Sequence, residues 1–237
     1  ENYNYIPKDA PKMSISNWPE MRAYSNIPKQ GQVSDSLAID LIHGYYATVS
    51  YTDALIGKIL DQLKASGLDK KTIVVFVSDH GYNLQEHTQW AKFTNYNTST
   101  QVPLIVYNPY SEEKGERNAL VELVDIYPTL AELCGLEFPK NQLDGTSLTP
   151  ILNNSEAKGK EHILIKKGNG FTLKTNDFSY TEFIKSEDNS IITSMLYDHR
   201  TDKAENMNVV NLPEYKEVVS QLKNTLHTSY KLNIQGD

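Results

Sequence analysis

A carboxylate and an imidazole stand side by side at Asp79 and His80, one residue after an unbroken apolar run, Ile73–Val77. Such a pair can supply an oxygen and a nitrogen to one divalent cation, or act as an acid and a base. Gly81 follows, and a residue without a Cβ lets the backbone turn sharply. The same three residues are also typical of a plain polar turn after a strand. On their own they leave metal ligation and a turn equally open.

More side chains capable of chemistry crowd into the next few positions. Glu86, His87, Trp90 and Lys92 lie in a segment whose polarity predicts a position outside the core. Lys92 is a natural counter-charge for a bound anion, because an ammonium group is a compact point charge suited to phosphate or sulfate oxygens. An ordinary solvated lysine is the alternative. We therefore take Lys92 as an anion-binding candidate and His87 as a further substrate-binding candidate.

Two aromatic residues, Tyr82 and Phe93, flank these metal and anion candidates. Aromatic faces beside polar groups are common at sugar sites, although packing in a core or a lid is at least as typical. The loop continues to Gln101, which is long for a compact domain and favours a functional role. Its hydroxyl and amide side chains would suit a carbohydrate-binding rim, and would equally suit plain solvent.

The elements that must position these residues follow from the apolar pattern. Ile73–Val77 predicts a strand covered on both faces, as in a parallel sheet, and in open α/β sheets ligands bind beyond the carboxyl ends of such strands. Leu104–Tyr107 predicts a second buried strand. Before them, apolar residues recur at helical spacing from Ser36 to Ser66 and Gly67 supplies a stop, which predicts one long amphipathic helix. The predicted fold class is therefore α/β.

The remaining segments predict a division into two domains. Residues 1–35 contain four prolines, which disfavour regular elements and predict an irregular segment. The polar run 153–160 is the best boundary and divides the chain into domains 1–155 and 156–237. After it, turn residues separate four short strands of a predicted antiparallel meander, and a final amphipathic helix begins at about Pro213. The strand patterns are His162–Lys166, Phe171–Thr175, Tyr180–Ile184 and Ile191–Tyr197.

Composition bounds the class of protein. The 237 residues are 39% hydrophobic and 22% charged, which suffices for one sizeable core, or for a core with a small satellite domain. A net charge of −7 without a stripe of Lys and Arg argues against general nucleic-acid binding. No run reaches the apolar length of a bilayer span, and a single cysteine, Cys134, excludes a disulfide framework within the chain.

Together these motifs resemble a known family. Their order is similar to that in the C-terminal part of a type I sulfatase of the alkaline phosphatase superfamily, and the closest resemblance is to iduronate-2-sulfatase-like enzymes. The resemblance covers the chain from Ser36 onward. Its motifs are Ser78-Asp79-His80-Gly81, Glu86-His87, Trp90-Ala91-Lys92, Val102–Tyr107, Tyr46–Asp53 with Ile56-Gly57, Val124–Leu130 with Cys134-Gly135, Leu143–Leu148, and Leu196-Tyr197-Asp198 with Glu205-Asn206.

The resemblance implies a fold and a reaction. The fold is an alkaline phosphatase-like mixed or parallel sheet with flanking helices, followed by a small C-terminal subdomain of an antiparallel sheet and a helix. The reaction is hydrolysis of a sulfate ester by a formylglycine-dependent enzyme. Ca²⁺ (or Mg²⁺) would be held by Asp79 and His80, and Lys92 would be a catalytic residue on a sulfate oxygen. No nucleic acid and no membrane span are expected.

The resemblance also implies a substrate and a compartment. Many sulfatases have Asn where His80 stands, and histidine at this position resembles the iduronate-2-sulfatase branch. This implies a 2-O-sulfated uronate within a glycosaminoglycan, with His87, Tyr82 and Phe93 as further substrate contacts. The family further implies a periplasmic or secreted protein, or a lysosomal one in an animal.

One part of the family's pattern is absent. Sulfatases carry a Cys-x-Pro/Ala-x-Arg signature whose cysteine becomes the formylglycine nucleophile, and an N-terminal acidic pair that completes the metal site. Cys134 is instead followed by Gly135-Leu136-Glu137-Phe138, and we expect it to be a small hydrophobe on the apolar face of a helix. We therefore expect a chain that carries half a site and is inactive alone. Its expected partners are a sulfated glycan and the N-terminal half of the catalytic domain.

Two alternatives stay open. A phosphodiesterase, phosphonate hydrolase or phosphopentomutase-like enzyme of the same superfamily would share the Asp-His-Gly strand end, but would bind two metals and use Ser or Thr. The later histidines, His162, His199 and His227, are predicted on strand or helix surfaces rather than in a metal-like cluster, which disfavours this alternative. The second alternative is a catalytically inactive sulfatase-like chain that serves as a binding module or partner subunit.

Overall fold

The computed structural model describes residues 4–232, which form two compact units. The first unit runs from the start of the described chain to Tyr110 and includes Ala204–Asn208. The second unit comprises Ser111–Lys203 and the described chain from Val209 onward. The boundary predicted at residue 155 lies inside the second unit. Residues 1–3 and 233–237, at the outer ends of the predicted domains, lie outside the described residues.

One long helix, α1, forms in the first unit as predicted. It spans Asp35–Ala65, Ser34 caps its start by accepting a hydrogen bond from the Leu37 N–H at 3.3 Å, and Gly67 follows its end with a φ of +69°. Its N-terminal turns pack against the core, but its later apolar residues are open to solvent in the described chain, and Ile59 is 68% exposed. Neither α1 nor another helix of the described chain is apolar enough to cross a membrane.

The predicted strand after α1 forms, but its pairing differs from the prediction. The elements of this region are β1 (Val74–Val77), β2 (Asn83–Leu84), β3 (Trp90–Ala91), α2 (Asn97–Thr100) and β4 (Leu104–Tyr107). The expected strand was parallel and covered on both faces; instead β1 pairs antiparallel with β4, and Phe76 and Val77 are 40% and 38% exposed. The segment between β1 and β4 turns the chain back on itself without the crossover that a parallel pair requires.

The irregular N-terminal segment supplies much of the core of the first unit. As predicted, residues 4–34 contain no α-helix, and their only helical turns are short 3₁₀ turns at Lys12–Ser14 and Met21–Ala23. The core cluster nevertheless takes Trp18, Met21, Ile27 and Val33 from this segment, together with Ala38 of α1 and Trp90 of β3. The irregular segment thus holds the β2–β3 hairpin against the start of α1.

The second unit contains a four-stranded antiparallel sheet, which confirms the predicted meander. Its elements are α3 (Ile126–Leu133), α4 (Thr149–Asn153), β5 (Ile163–Lys167), β6 (Gly170–Lys174), β7 (Phe178–Ile184), β8 (Ile191–Asp198) and α5 (Lys216–Tyr230). The strands follow in sequence order, and α5 packs against β6 and β7, with Leu222 and Leu226 buried.

Cys134 corrects one expectation about the second unit. We predicted a small buried hydrophobe on the face of a helix, but Cys134 is exposed. The reason is that α3 ends at Leu133 and Gly135 turns the chain with a φ of +65°, so Cys134 caps the helix instead of lying on its apolar face.

A buried carboxylate organises the segment around α3. Asp125 is fully buried and accepts hydrogen bonds from the backbone N–H groups of Glu122 and Thr146, at 2.8 Å each, and from Lys160 Nζ at 2.7 Å. Burial lowers the pKa of Lys160, but its hydrogen bonds with Asp125 and Glu122 outweigh this effect, so the pKa is raised. The sulfatase-like motifs at Val124–Leu130 and Leu143–Leu148 are therefore joined by a structural network.

Candidate functional site

The candidate metal ligands lie where β1 ends and the chain leaves the sheet. The Asp79 side chain is 87% exposed, and its Oδ2 lies 3.7 Å from Nε2 of His80, whose side chain is 34% exposed. Asp79 Oδ1 also accepts a hydrogen bond from the His80 backbone N–H at 3.1 Å. The structure therefore brings the carboxylate and the imidazole together at an open surface.

A hydrogen bond determines which imidazole nitrogen of His80 is available. Nδ1 lies 2.8 Å from the Gly81 carbonyl oxygen, and because a carbonyl oxygen can only accept, Nδ1 is the donor. In a neutral ring the lone pair is then on Nε2, the nitrogen next to the Asp79 carboxylate. Metal-bound histidines use this same arrangement, in which one nitrogen donates to a carbonyl and the other ligates.

These two residues fit part of a cation site. A carboxylate oxygen suits Ca²⁺ or Mg²⁺, and Nε2 of His80 adds a nitrogen ligand. Ca²⁺ takes about 6–8 ligands, yet within residues 4–232 no third His, Cys, Asp or Glu joins Asp79 and His80 in a metal-binding group. The described chain thus offers two ligands, and further oxygen ligands must come from elsewhere.

Gly81 locks this turn against the segment around α2. Its N–H donates to the Ser99 carbonyl oxygen at 2.9 Å, and a Cβ at this position would lie 2.1 Å from the Thr98 carbonyl oxygen. On the other side of the turn, the Ser78 hydroxyl donates to the His80 carbonyl oxygen at 2.8 Å. Glycine is therefore required here by the close approach of two backbones as well as by the turn.

The segment before Lys92 is buried, which corrects the expectation that it is too polar for the core. Two of its buried amides are hydrogen-bonded, as buried polar groups usually are: Gln89 Oε1 accepts from the Ser16 N–H at 2.7 Å, and Asn83 Nδ2 donates to the Ala91 carbonyl oxygen at 2.6 Å. Within this segment, four residues have a positive φ: Gln85, His87, Thr88 and Ala91. Backbone held in such conformations is characteristic of functional sites, and Ala91, the last of these residues, directly precedes Lys92.

The polar loop after Phe93 does not form an open rim. Thr94, Asn95 and Ser99 are buried, and the hydroxyl groups of Thr94 and Ser99 are 2.6 Å apart. Asn83 Nδ2 also donates to Ser99 Oγ at 2.7 Å. The buried hydroxyl groups of this loop therefore form hydrogen bonds with each other and with the β2–β3 hairpin. They do not form a row of hydroxyl and amide groups that is open to a carbohydrate.

His87 lies inside the first unit. It is 1% exposed, and its Nε2 is 2.9 Å from the Ala204 carbonyl oxygen. Its ring packs against those of Tyr96 and Tyr5, with centroid distances of 4.9 and 6.3 Å. These contacts give His87 a packing role in the described chain. Its contact with substrate stays a prediction, and one that requires the ring to leave these surroundings.

Lys92 is paired with a residue that the sequence pattern does not mark. Its Nζ lies 3.3 Å from Glu20 Oε2 and 5.7 Å from the centre of the Phe93 ring. The Lys92 and Glu20 side chains are 29% and 50% exposed, and an ion pair so open to solvent contributes at most about 1 kcal/mol. Glu20 lies 72 positions before Lys92, in a segment without periodic pattern, and no sequence signal identifies it as a partner.

Tyr82 belongs to the neighbourhood of Glu20. Burial raises the pKa of the Tyr82 phenol, and the charge of Glu20 raises it further. The Tyr82 ring lies 5.2 Å from the Tyr45 ring, centroid to centroid. The structure therefore groups Glu20 with Tyr82, Lys92 and Phe93, and separately groups Asp79 with His80.

The fold around these residues has counterparts among solved structures. A protein solved in complex with its substrate D-glucosamine-2-N,6-O-disulfate matches with a TM-score of 0.72 and 28% identity, covering 79% of this chain and 40% of that one. A structure described as a 2-O GAG sulfatase matches with a TM-score of 0.58 and 25% identity, covering 68% and 36%. The fold is the mixed α/β, alkaline phosphatase-like fold, as predicted.

Sequence comparison then defines the family. The Sulfatase family model matches residues 6–136, more than half of the chain, and the model described as N-sulphoglucosamine sulphohydrolase, C-terminal, matches residues 85–231. The chain belongs to the sulfatase family, which confirms the resemblance to type I sulfatases. Arylsulfatase K of Bos taurus is 31% identical over 238 residues, covering 94% of this chain and 42% of the relative. The chain therefore spans less than half the length of this relative.

Proposed function

We propose that this chain supplies metal-binding and anion-binding residues to a sulfuric ester hydrolase that acts on a sulfated glycan, with a 2-O-sulfated uronate as the substrate unit. The observation that carries the proposal is the pair at the end of β1, where Asp79 Oδ2 and the lone pair of His80 Nε2 lie 3.7 Å apart at an open surface. Membership of the sulfatase family supports the class of reaction.

Asp79 and His80 are the residues that would hold the cation, Ca²⁺ or Mg²⁺. When bound, the cation supplies polarisation of the sulfate oxygens. Asp79 contributes the negative charge and the hard oxygen that such cations prefer. The hydrogen bond from His80 Nδ1 to the Gly81 carbonyl holds the ring in the tautomer whose Nε2 can ligate.

Lys92 is the residue that would bind a sulfate oxygen. Its ammonium group neutralises negative charge that develops as the S–O ester bond breaks. In the described chain the same Nζ is paired with Glu20, so a sulfate group must compete with this carboxylate. The competition is weak, because an exposed ion pair contributes about 1 kcal/mol or less. Glu20 thus balances the charge of Lys92 until an anion replaces it.

The proposal requires parts that these residues do not supply. Residues 4–232 provide two cation ligands and no larger group, and the Cys-x-Pro/Ala-x-Arg signature is absent from the 237 residues. We propose that an N-terminal half of the catalytic domain carries the formylglycine nucleophile and the remaining ligands, and that the chain alone is inactive. The 42% share of the bovine relative covered by this chain supports this proposal. On the family resemblance we also propose export to the periplasm, the cell exterior or a lysosome.

The choice of a 2-O-sulfated uronate depends on His80, the residue that resembles the iduronate-2-sulfatase branch. The structural match described as a 2-O GAG sulfatase supports this choice. The match solved with a glucosamine disulfate supports the alternative, a substrate sulfated on glucosamine. Both substrates are sulfated sugars, so the two possibilities share the reaction and differ in the ring and the position of the ester.

Kinetics of the chain joined to the proposed N-terminal half test the function. Asp79→Ala and Lys92→Ala should each lower kcat/KM for a 2-O-sulfated uronate disaccharide by about 10²–10³-fold, because each removes a group that stabilises developing charge. The matched controls are Asp188→Ala and Lys185→Ala, which remove an exposed ion pair of the second unit and should leave kcat/KM unchanged.

The possible outcomes test the assignment of the site residues and the choice of substrate separately. Near-normal turnover by both the Asp79 and Lys92 variants would contradict the site assignment. Faster turnover of a 6-O-sulfated glucosamine than of the 2-O-sulfated uronate would keep the site and overturn the substrate. Hydrolysis of a phosphate diester or phosphonate in preference to both would favour the other branch of the superfamily.

A further inference from the structure

The first unit contains a cleft that the proposed sulfate chemistry does not use. It has a volume of about 350 Å³ and is bordered by α1, the segment Met21–Ile27 and the β2–β3 hairpin. This volume lies near the lower end of the range of roughly 300–1,000 Å³ typical of small-ligand sites. We propose that the cleft binds a neutral pyranose ring of the glycan, adjacent to the ring that carries the sulfate. This inference rests on the proposed function and adds a second sugar subsite to it.

Tyrosine side chains form the walls of the cleft. Tyr24, Tyr45 and Tyr82 line it, and the rings of Tyr45 and Tyr82 are 5.2 Å apart with 30° between their planes. Tyr24 and Tyr82 are 63% and 38% exposed, so flat aromatic surface is open to a ligand. The C–H faces of a pyranose can pack against such rings while the phenol hydroxyls remain available to sugar hydroxyls. Walls that are both apolar and hydrogen-bonding suit a sugar better than a purely apolar ligand.

One residue of the lining, Trp90, is a buried indole. Trp90 lines the cleft, is 1% exposed, and its indole Nε1 has no hydrogen-bond partner within the described chain. The Nε1 atom is itself enclosed by protein, so Trp90 contributes apolar ring surface behind the cleft. Asn26 and Thr48 add an amide and a hydroxyl to the lining. Such amide and hydroxyl groups can pair with the hydroxyl groups of a sugar.

Glu20 lies between the cleft and Lys92, the candidate sulfate-binding residue. Its negative charge affects which sugar rings the cleft can bind. Its carboxylate lies 3.3 Å from Lys92 Nζ, and its charge adds to burial in raising the pKa of Tyr82. Glu20 directly precedes Met21, Lys92 follows Trp90 by two positions, and both Met21 and Trp90 line the cleft. The cleft therefore adjoins Lys92, as a subsite for the neighbouring ring must. A carboxylate here repels an acidic sugar, so the cleft favours a neutral hexosamine over a second uronate.

An NMR titration of the ¹⁵N-labelled 237-residue chain with a neutral N-acetylglucosamine disaccharide tests the proposal. The chain has two tryptophans and so two indole N–H signals; the Trp90 signal should shift, while Trp18, which does not line the cleft, is the internal reference. Tyr45→Ala should weaken binding about tenfold through loss of one stacking face, and Tyr45→Phe should retain most of the affinity. Tyr51→Ala, at a 67% exposed tyrosine of α1, is the matched control and should bind like the wild type.

Each outcome of the titration decides the proposal. Circular dichroism of each variant separates loss of binding from loss of folding. A Trp90 signal that stays in place up to the solubility limit of the disaccharide would overturn the proposal, as would equal weakening by Tyr45→Ala and Tyr51→Ala. If 4-nitrophenol shifts the Trp90 signal and the disaccharide does not, the cleft takes an aryl group and the sugar assignment is wrong. The disaccharide carries no sulfate, so failure of the proposed sulfatase function appears separately, in the hydrolysis assay.

Discussion

Asp79 in the first unit and three carboxylates of the second unit lie in opposite surroundings. In the second unit Asp125, Glu182 and Asp198 are at most 2% exposed. Each is paired with a donor: Asp125 with Lys160 at 2.7 Å, Glu182 with His227 at 2.6 Å, and Asp198 with Arg200 at 2.7 Å. In the first unit the Asp79 side chain is 87% exposed and contacts the adjacent His80. The three buried acids stabilise the fold, whereas Asp79 is accessible to a ligand.

The physical basis of this difference is desolvation. A buried carboxylate destabilises the fold unless it is paired and hydrogen-bonded, and such pairing occupies the lone pairs of its oxygens. Asp79 faces solvent, so its oxygens remain accessible, and the neighbouring Nε2 of His80 adds a lone pair. Paired acids in the second unit therefore contribute stability, whereas the open pair in the first unit can contribute binding.

Removing one carboxylate from each unit should show the contrast most strongly. Asp125→Ala leaves Lys160 without its buried partner and two backbone N–H groups without an acceptor, and should lower the free energy of unfolding by about 3–5 kcal/mol. Asp79→Ala should change it by less than about 0.5 kcal/mol, since the side chain is exposed. Urea unfolding at neutral pH, followed by circular dichroism, measures both values. Similar losses in the two variants would break the comparison.

Lowering the pH should reduce the free energy of unfolding by an intermediate amount, because Asp198 becomes protonated. Hydrogen bonds from Arg200 outweigh burial and, with help from Tyr215, lower the pKa of Asp198 from 3.8 to about 2. Because the folded-state pKa is the lower one, the stabilisation is present above about pH 4 and is lost as the pH falls toward 2. The loss corresponds to about 2 kcal/mol for this group. Denaturant unfolding at pH 5 and at pH 2.5 measures it.

The control for this series is Asp198→Asn, which removes the titrating group and keeps the shape of the side chain. Between the two pH values the wild type should lose more free energy of unfolding than this variant. Parallel losses in both proteins would assign the acid sensitivity to other groups.

A smaller effect on stability than in the acid series should come from Glu20→Gln in the first unit. The change in the free energy of unfolding should be below about 1 kcal/mol, because the pair with Lys92 is exposed. Lys92, released from a carboxylate, should bind inorganic sulfate about two- to fivefold more tightly, as calorimetry measures. The pKa of Tyr82 should fall, because the charge of Glu20 contributes to raising it. An ultraviolet titration of the phenol follows this change.

Glu113→Gln is the matched control for Glu20→Gln. It removes an exposed carboxylate that pairs with Arg117 in the second unit at 3.4 Å. Sulfate affinity and the pKa of Tyr82 should both stay as in the wild type. Tighter sulfate binding in both variants would show a general effect of net charge rather than the release of Lys92.

The fold could be predicted from sequence where the signal is local. Helical spacing from Ser36 to Ser66 located α1 (Asp35–Ala65) to within a residue, and the meander was located almost as closely, because periodicity and turn chemistry act between neighbours along the chain. The antiparallel pairing of β1 with β4 was not predicted, since the apolar run of β1 is typical of a strand in a parallel sheet. An apolar run shows that a strand can be buried, but the direction of its neighbour depends on the path of the intervening chain.

What the sequence by itself determined about this protein is the order of its motifs, the long helix, the meander, and the adjacency of Asp79, His80 and Gly81. Adjacent residues stay adjacent in any fold, so this pair needed no tertiary information. Only the tertiary structure decided the rest: the Glu20 partner of Lys92 from 72 positions away, the burial of His87 against Ala204, and the tyrosine-lined cleft. These features depend on which distant segments fill each other's surface, and long-range packing leaves no periodic mark in a single sequence.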